Sequence, residues 1–190
     1  MTARRDFEAE FAQLVGRRLR RIRYWDIPHD AADPRIWDHG DWHHAVMGVE
    51  LDTDAGPYFL TWSSRFYPYD VELFTGTAAE HLVLGPGGPE GWPVETNAHW
   101  VRRLAGPITG TAVHWLPIEF LEPPGGFTAE APVGLRLDFE AGPAWLVAGL
   151  PGRGELADTF LMGDELLVLF AADRMGEIGL GGGPEVETSL

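Results

Sequence analysis

Apolar and polar positions alternate over Val49, Glu50, Leu51, Asp52 and Thr53, and again over Leu135, Arg136, Leu137, Asp138 and Phe139. A period of two is that of a strand with one face buried. Each run leads into a turn, Asp54-Ala-Gly-Pro57 or Glu140-Ala-Gly-Pro143. There glycine takes a positive φ and proline opens a return strand at a position that needs no ladder donor. The pattern therefore predicts two β-hairpins. They read as copies of one another: Gly48 to Trp62 and Gly134 to Ala148 lie 86 positions apart and share seven of fifteen residues.

Two further blocks repeat in the same order. Leu14-Val-Gly16 with Trp25 precedes the first hairpin, and Leu104-Ala-Gly106 with Trp115 precedes the second. Val71-Glu-Leu-Phe74 follows the first, and Leu167-Val-Leu-Phe170 follows the second. The spacings Phe7/Phe11/Leu14 and Trp100/Leu104 predict short helices stopped by Gly16 and Gly106. Collinear self-similarity is the mark of a duplicated architecture. The expected fold is mainly β, an antiparallel sandwich or partly open barrel built from duplicated halves 5–84 and 97–170, with one or two short helices. Gly85-Pro-Gly-Gly-Pro-Glu-Gly91 reads as the boundary between the halves, Pro123-Pro-Gly-Gly126 as an interruption of the second, and 179–190 as a flexible tail. Roughly eight to ten strands in a single domain 1–190 are expected.

Composition narrows the classes. The chain has 190 residues, no Cys, 8 Trp and 10 Phe, enough apolar surface for a core without disulfides. Its 29 acidic and 14 basic residues give a formal net charge of −15. Such a field repels nucleic acid and anionic membranes and attracts a basic protein. All the basic residues are Arg, which excludes Schiff-base and P-loop lysine chemistry. Arg17, Arg18, Arg20, Arg21 and Arg23 cluster where the first helix gives way to a strand; alternation from Leu19 to Tyr24 puts Arg21 and Arg23 on one face, which reads as a solvated strand face. No long apolar run and no apolar leader follow the first Met, so a cytoplasmic protein is expected.

Where the two halves differ, function is best sought. Asp26 to Met47 holds 22 residues against 18 from Leu116 to Val133, and carries four of the seven His, two Trp and five Asp. Two readings of this connection compete with a purely architectural one, in which Trp37 and Trp42 plug the core. In the first, Arg35, Trp37, Trp42 and His44 form a contact surface for a ligand or partner, the rings giving area and the polar groups orientation. In the second, His39, Asp41, His43 and His44 bind a divalent metal. Spacing weakens the second, because strand geometry sends His43 and His44 to opposite faces. Ser63-Ser-Arg65 lacks a nucleophile elbow, and Gly179-Leu-Gly-Gly-Gly183 lacks the helix of a phosphate loop. Trp62, Phe66, Tyr67 and Tyr69 form an aromatic group that could stack a sugar.

Tyr24-Trp-Asp26, the run Trp37-Asp38-x-Gly40-Asp41-Trp42-His43-His44, Gly-x-Glu-Leu and Gly163-Asp-Glu165 together resemble a family of small bacterial proteins of similar length. The resemblance spans nearly the whole chain and implies that the architecture recurs, without an activity. The sequence thus points to a non-enzymatic, acidic, β-rich binding or protein-interaction module, of the immunity type, that meets a basic partner through the 26–47 connection. No cofactor is expected. A small-molecule or metal-dependent enzyme using the same connection is the alternative.

Overall fold

A computed structural model describes residues 2–29, 35–119, 128–152 and 155–181. Asp30, Asp33, the Pro123 to Gly126 stretch and tail residues 182–190 fall outside it. The chain is mainly β, as its alternation predicts. Helix α1 (Thr2–Ala12) leads into β1 (Leu19–Asp26); β2 (Trp42–Val46), β3 (Gly48–Thr53), β4 (Gly56–Ser63) and β5 (Asp70–Thr75) follow. After a single 3₁₀ turn at Ala78–Glu80 come β6 (Glu90–Pro93), α2 (Ala98–Leu104), β7 (Gly110–Glu119) and β8 (Thr128–Asp138). The rest is β9 (Ala144–Gly152), β10 (Glu155–Leu169) and α3 (Ala172–Glu177). Helix α3 was not foreseen, because its six residues are too few for a helical period to show and its N-cap, Ala171, makes no side-chain cap.

The strands form one sheet in the order β5-β4-β3-β1-β2-β10-β9-β8-β7, with β6 pairing β1 off this path. The sheet curls until β5 packs beside β8 and β9, so the partly open barrel describes it better than a sandwich. In both hairpins the register agrees: Val49 faces Leu60 and Leu51 faces Tyr58, while Leu135 faces Leu146 and Leu137 faces Ala144. The two helix stops meet, since the Gly16 amide donates to the Ile108 carbonyl at 2.8 Å and the Ile108 amide to the Arg17 carbonyl at 2.8 Å.

Alternation places the core. Inside the curl lie Phe7 and Phe11 of α1 and Leu14 just after it, with Ile22, Leu51, Leu60, Leu137 and Trp100, all buried. Strand β10 departs from the half-buried pattern: Leu166 and Val168 face this core, whereas Leu167 and Leu169 join a second cluster with Trp42, Trp145, Met175 and Ile178 on the outer face under α3. Burial on both sides explains its unbroken apolar run. Strand β2 sits between the two meanders, antiparallel to β10 and touching β1 in parallel at Trp25 and Val46. Its exit past the end of β1 bends sharply, with Val46 at φ 43° and Gly48 at φ 148°. A Cβ on Gly48 would lie 2.6 Å from the Leu60 carbonyl oxygen, so glycine is required there.

Candidate functional site

The 26–47 connection begins as the last turn of β1 leaves the barrel. Asp26 is buried there, with only 2% of its surface exposed. A buried carboxylate is tolerated only when hydrogen-bonded. Asp26 accepts from the Ile27 amide at 2.6 Å, from His29 Nε2 at 3.0 Å and from Arg35 Nε at 3.3 Å. Arg35 also lies flat over the Trp92 ring, 3.9 Å from its centroid, and donates to the Ile27 carbonyl at 3.1 Å. The guanidinium thus ties the middle of the connection to its start at Asp26 and Ile27 and to Trp92 of β6. Ile27 and Ile36, beside these ties, are 55% and 71% exposed.

Further along, β2 splits the aromatic and imidazole residues between the two faces of the sheet. His43 points inward and is fully buried; its Nδ1 lies 2.8 Å from the Tyr24 hydroxyl. Trp100 Nε1 donates to that hydroxyl oxygen at 2.7 Å. Because the oxygen accepts from Trp100, the hydroxyl proton is directed at Nδ1, and His43 carries its own proton on Nε2. That nitrogen faces Asp38 Oδ1 at 3.6 Å, longer than a hydrogen bond. Burial drives the His43 pKa down to about 4, against the opposing pull of Asp38, so the ring is neutral at ordinary pH. Tyr24, desolvated in the same place, has its pKa raised. Asp38 is held in turn by the Gly40 amide at 2.9 Å and by the Asn97 side-chain amide at 2.9 Å. Trp37 packs edge-on against both Tyr24 and His43, with centroids 5.7 and 4.9 Å apart.

On the outer face Trp42 is buried, His39 stacks flat on it at 4.0 Å, and His44 donates Nε2–H to Glu165 at 2.6 Å. Asp41 pairs with Arg174 of α3 at 3.3 Å. The four residues read as a contact set are therefore anchored parts: Arg35 over Trp92, Trp37 against the core, Trp42 in the outer cluster and His44 on Glu165. The four read as a metal set do not gather, because His43 turns inward while His39, Asp41 and His44 stay on the outside. Among the described residues no three His, Cys, Asp or Glu side chains are placed to share a metal ion.

Sequence reasoning missed the partners that fix these groups: Tyr24, Trp92, Trp100, Asn97 and Glu165. They lie up to 121 positions away in sequence from the residues they hold, and spacing carries no signal over that distance. His99 is half-buried and stacked on Phe170 at 4.4 Å. Beside it Arg103 is buried over the same Phe170 ring, donates to the carbonyls of His99 and Pro143, and has its pKa lowered to about 10 by burial and by Arg102. No helix among the described residues is long and apolar enough to cross a membrane. Comparison of the chain with protein-family models, with curated proteins and with solved structures gives no match, so the likeness to small bacterial proteins rests on the sequence motifs alone.

Proposed function

We propose that this chain is a non-enzymatic binding protein of the cytoplasm whose 26–47 connection docks a basic protein partner, as an immunity protein docks the toxin it neutralises. One observation carries the reading: among the described residues of the connection the polar side chains are held by partners within the fold, while Ile27 and Ile36 are left exposed. Exposure alone would not single these two out, since Val83 and Phe160 are also exposed. Ile27 and Ile36 differ in their setting. Arg35 ties their backbones together, and the side chains of Asp38, Asp41 and Glu90 around the connection are 44%, 52% and 62% exposed.

An apolar centre with an acidic rim on a preorganised support suits a cationic protein surface. Apolar contact supplies the affinity, and the charges supply steering and choice of partner. The formal charge of −15 acts in the same sense and disfavours nucleic acid. The scaffold belongs to the proposal as a duplicated unit, which the shared hairpin register and the collinear blocks support. Capture from host lysate with the full chain as bait tests the function. Recovery of a basic protein that salt releases is expected; recovery only of acidic or salt-insensitive proteins overturns it.

A further inference from the structure

An open sheet has two edges, and this one treats them differently. Strand β7 at one end carries Pro117 and has α1 packed against it. Both features blunt an edge. Strand β5 at the other end contains no proline and is flanked by a groove of about 430 Å³. The groove is lined by Glu10 of α1 and Gln13 just after it, by Tyr58, and by the successive residues Glu72 to Thr75 of β5. Successive strand side chains point to opposite faces, so a groove touching four in a row runs along the strand's edge.

Backbone direction agrees. The Gly76 amide donates to the Pro57 carbonyl at 3.0 Å, which makes that pair hydrogen-bonded; the antiparallel register continues it to Phe59 with Phe74 and Thr61 with Glu72. By alternation, Leu73 and Thr75 direct their N–H and C=O groups away from β4 and into the groove. The Thr75 carbonyl confirms the direction, because the exposed His81 imidazole donates to it at 3.1 Å. A side chain already occupies one place that a neighbouring strand would take.

We infer that the β5 edge accepts an extended segment of a protein partner as an added strand, with alternating apolar and basic residues. The alternation follows from the walls. On one face the incoming side chains meet Tyr58 and Leu73, which belong to the core cluster. On the other they meet Glu72 and Glu10, which share Arg65 between them at 2.8 and 2.7 Å. Two carboxylates on one guanidinium leave an excess negative charge for a cationic side chain, and opposite charges across neighbouring strands are favourable. Main-chain bonds give such a complex its affinity and the alternate side chains its selectivity. The formal charge of −15 argues against a second copy of this chain as the occupant. This surface is separate from the 26–47 connection, and each can fail without the other.

The test uses the ¹⁵N-labelled full chain and a capped peptide of alternating Val and Lys. Saturable amide shifts are expected at Leu73, Thr75, His81 and Gln13, with exchange of the Leu73 and Thr75 amides slowed about tenfold or more. Methylating alternate peptide nitrogens abolishes binding. Thr75→Pro removes an outward N–H without touching the β4 ladder and also abolishes it, with unchanged melting. His81→Ala vacates the Thr75 carbonyl and tightens binding. Equal binding of the methylated peptide, shifts on other elements, weaker binding by His81→Ala, or peptide-free self-association through β5 overturns the inference.

Discussion

Tyr24→Phe removes one oxygen atom and leaves the ring. That oxygen accepts from Trp100 Nε1 at 2.7 Å and donates to His43 Nδ1 at 2.8 Å, and all three side chains are fully buried. Phenylalanine fills the same volume, so cavity terms are small and the cost is that of two stranded polar groups. Each buried, unsatisfied group costs about 1–3 kcal/mol, so the sum for two is roughly 2–6 kcal/mol. For a chain of this size each kcal/mol lowers Tm by roughly 2–4 °C, which places the expected loss at about 4–24 °C. Urea denaturation followed by tryptophan fluorescence and far-UV circular dichroism measures it, with an unchanged m-value as the sign that only stability moved. Tyr58→Phe is the control, since among the described residues no side chain bonds its hydroxyl; it should change stability by less than about 0.5 kcal/mol. A Tyr24→Phe variant as stable as the control would refute the reasoning that this network is paired and dry.

Acid should weaken the fold through the same network. The His43 pKa is about 4 in the folded chain against 6.5 when unfolded, so between these values the unfolded chain binds the extra proton. Stability from this group is complete above pH 6.5, falls as pH drops through this window, and has lost about 3 kcal/mol near pH 4; because burial also lowers the pKa of His39, His99 and His114, a slope shallower in His43→Leu than in the parent checks it. Gly48→Ala places a Cβ 2.6 Å from a carbonyl oxygen at a positive φ and should cost more than about 2 kcal/mol by denaturation. At Gly40 nothing lies within 4 Å but φ is +85°, so Gly40→Ala should cost about 1 kcal/mol from backbone strain alone. Asp26→Ala removes the acceptor of Arg35 Nε, and tryptic cleavage after Arg35 should accelerate about tenfold; an unchanged rate means that Asp26 does not pin the connection.

The local periods in this sequence are legible and accurate. Strict alternation at Val49 to Thr53 and at Leu135 to Phe139 marks strands with one buried face, and Phe7 and Phe11 mark the buried side of α1. The same period correctly separates His43 from His44. What the period does not carry is pairing between distant elements. From His43 on, the chain reads as a backward extension of the strand that ends at Leu51, yet Trp42–Val46 is a separate strand that joins the two meanders. Its neighbours β10 and β1 are chosen by burial on both faces, which blurs the alternation. Arg35 shows the limit for the candidate site. Its charge invites a contact role, but only the fold reveals Asp26 and Trp92 waiting to hold it, and turns attention to the plain Ile27 and Ile36 beside it.

The central claim is that Ile27 and Ile36, framed by carboxylates, are the contact surface. The direct measurement is titration calorimetry of the captured basic partner against the parent chain, against Ile27→Ser/Ile36→Ser, and against Val83→Ser as an equally simple change at another exposed site. The account predicts that the double variant melts like the parent within about 0.5 kcal/mol yet loses at least about a hundredfold in affinity, as two buried aliphatic contacts of roughly 1.5 kcal/mol each require. Val83→Ser should bind as the parent does. Undiminished affinity in the double variant, with its fold intact, would contradict the account.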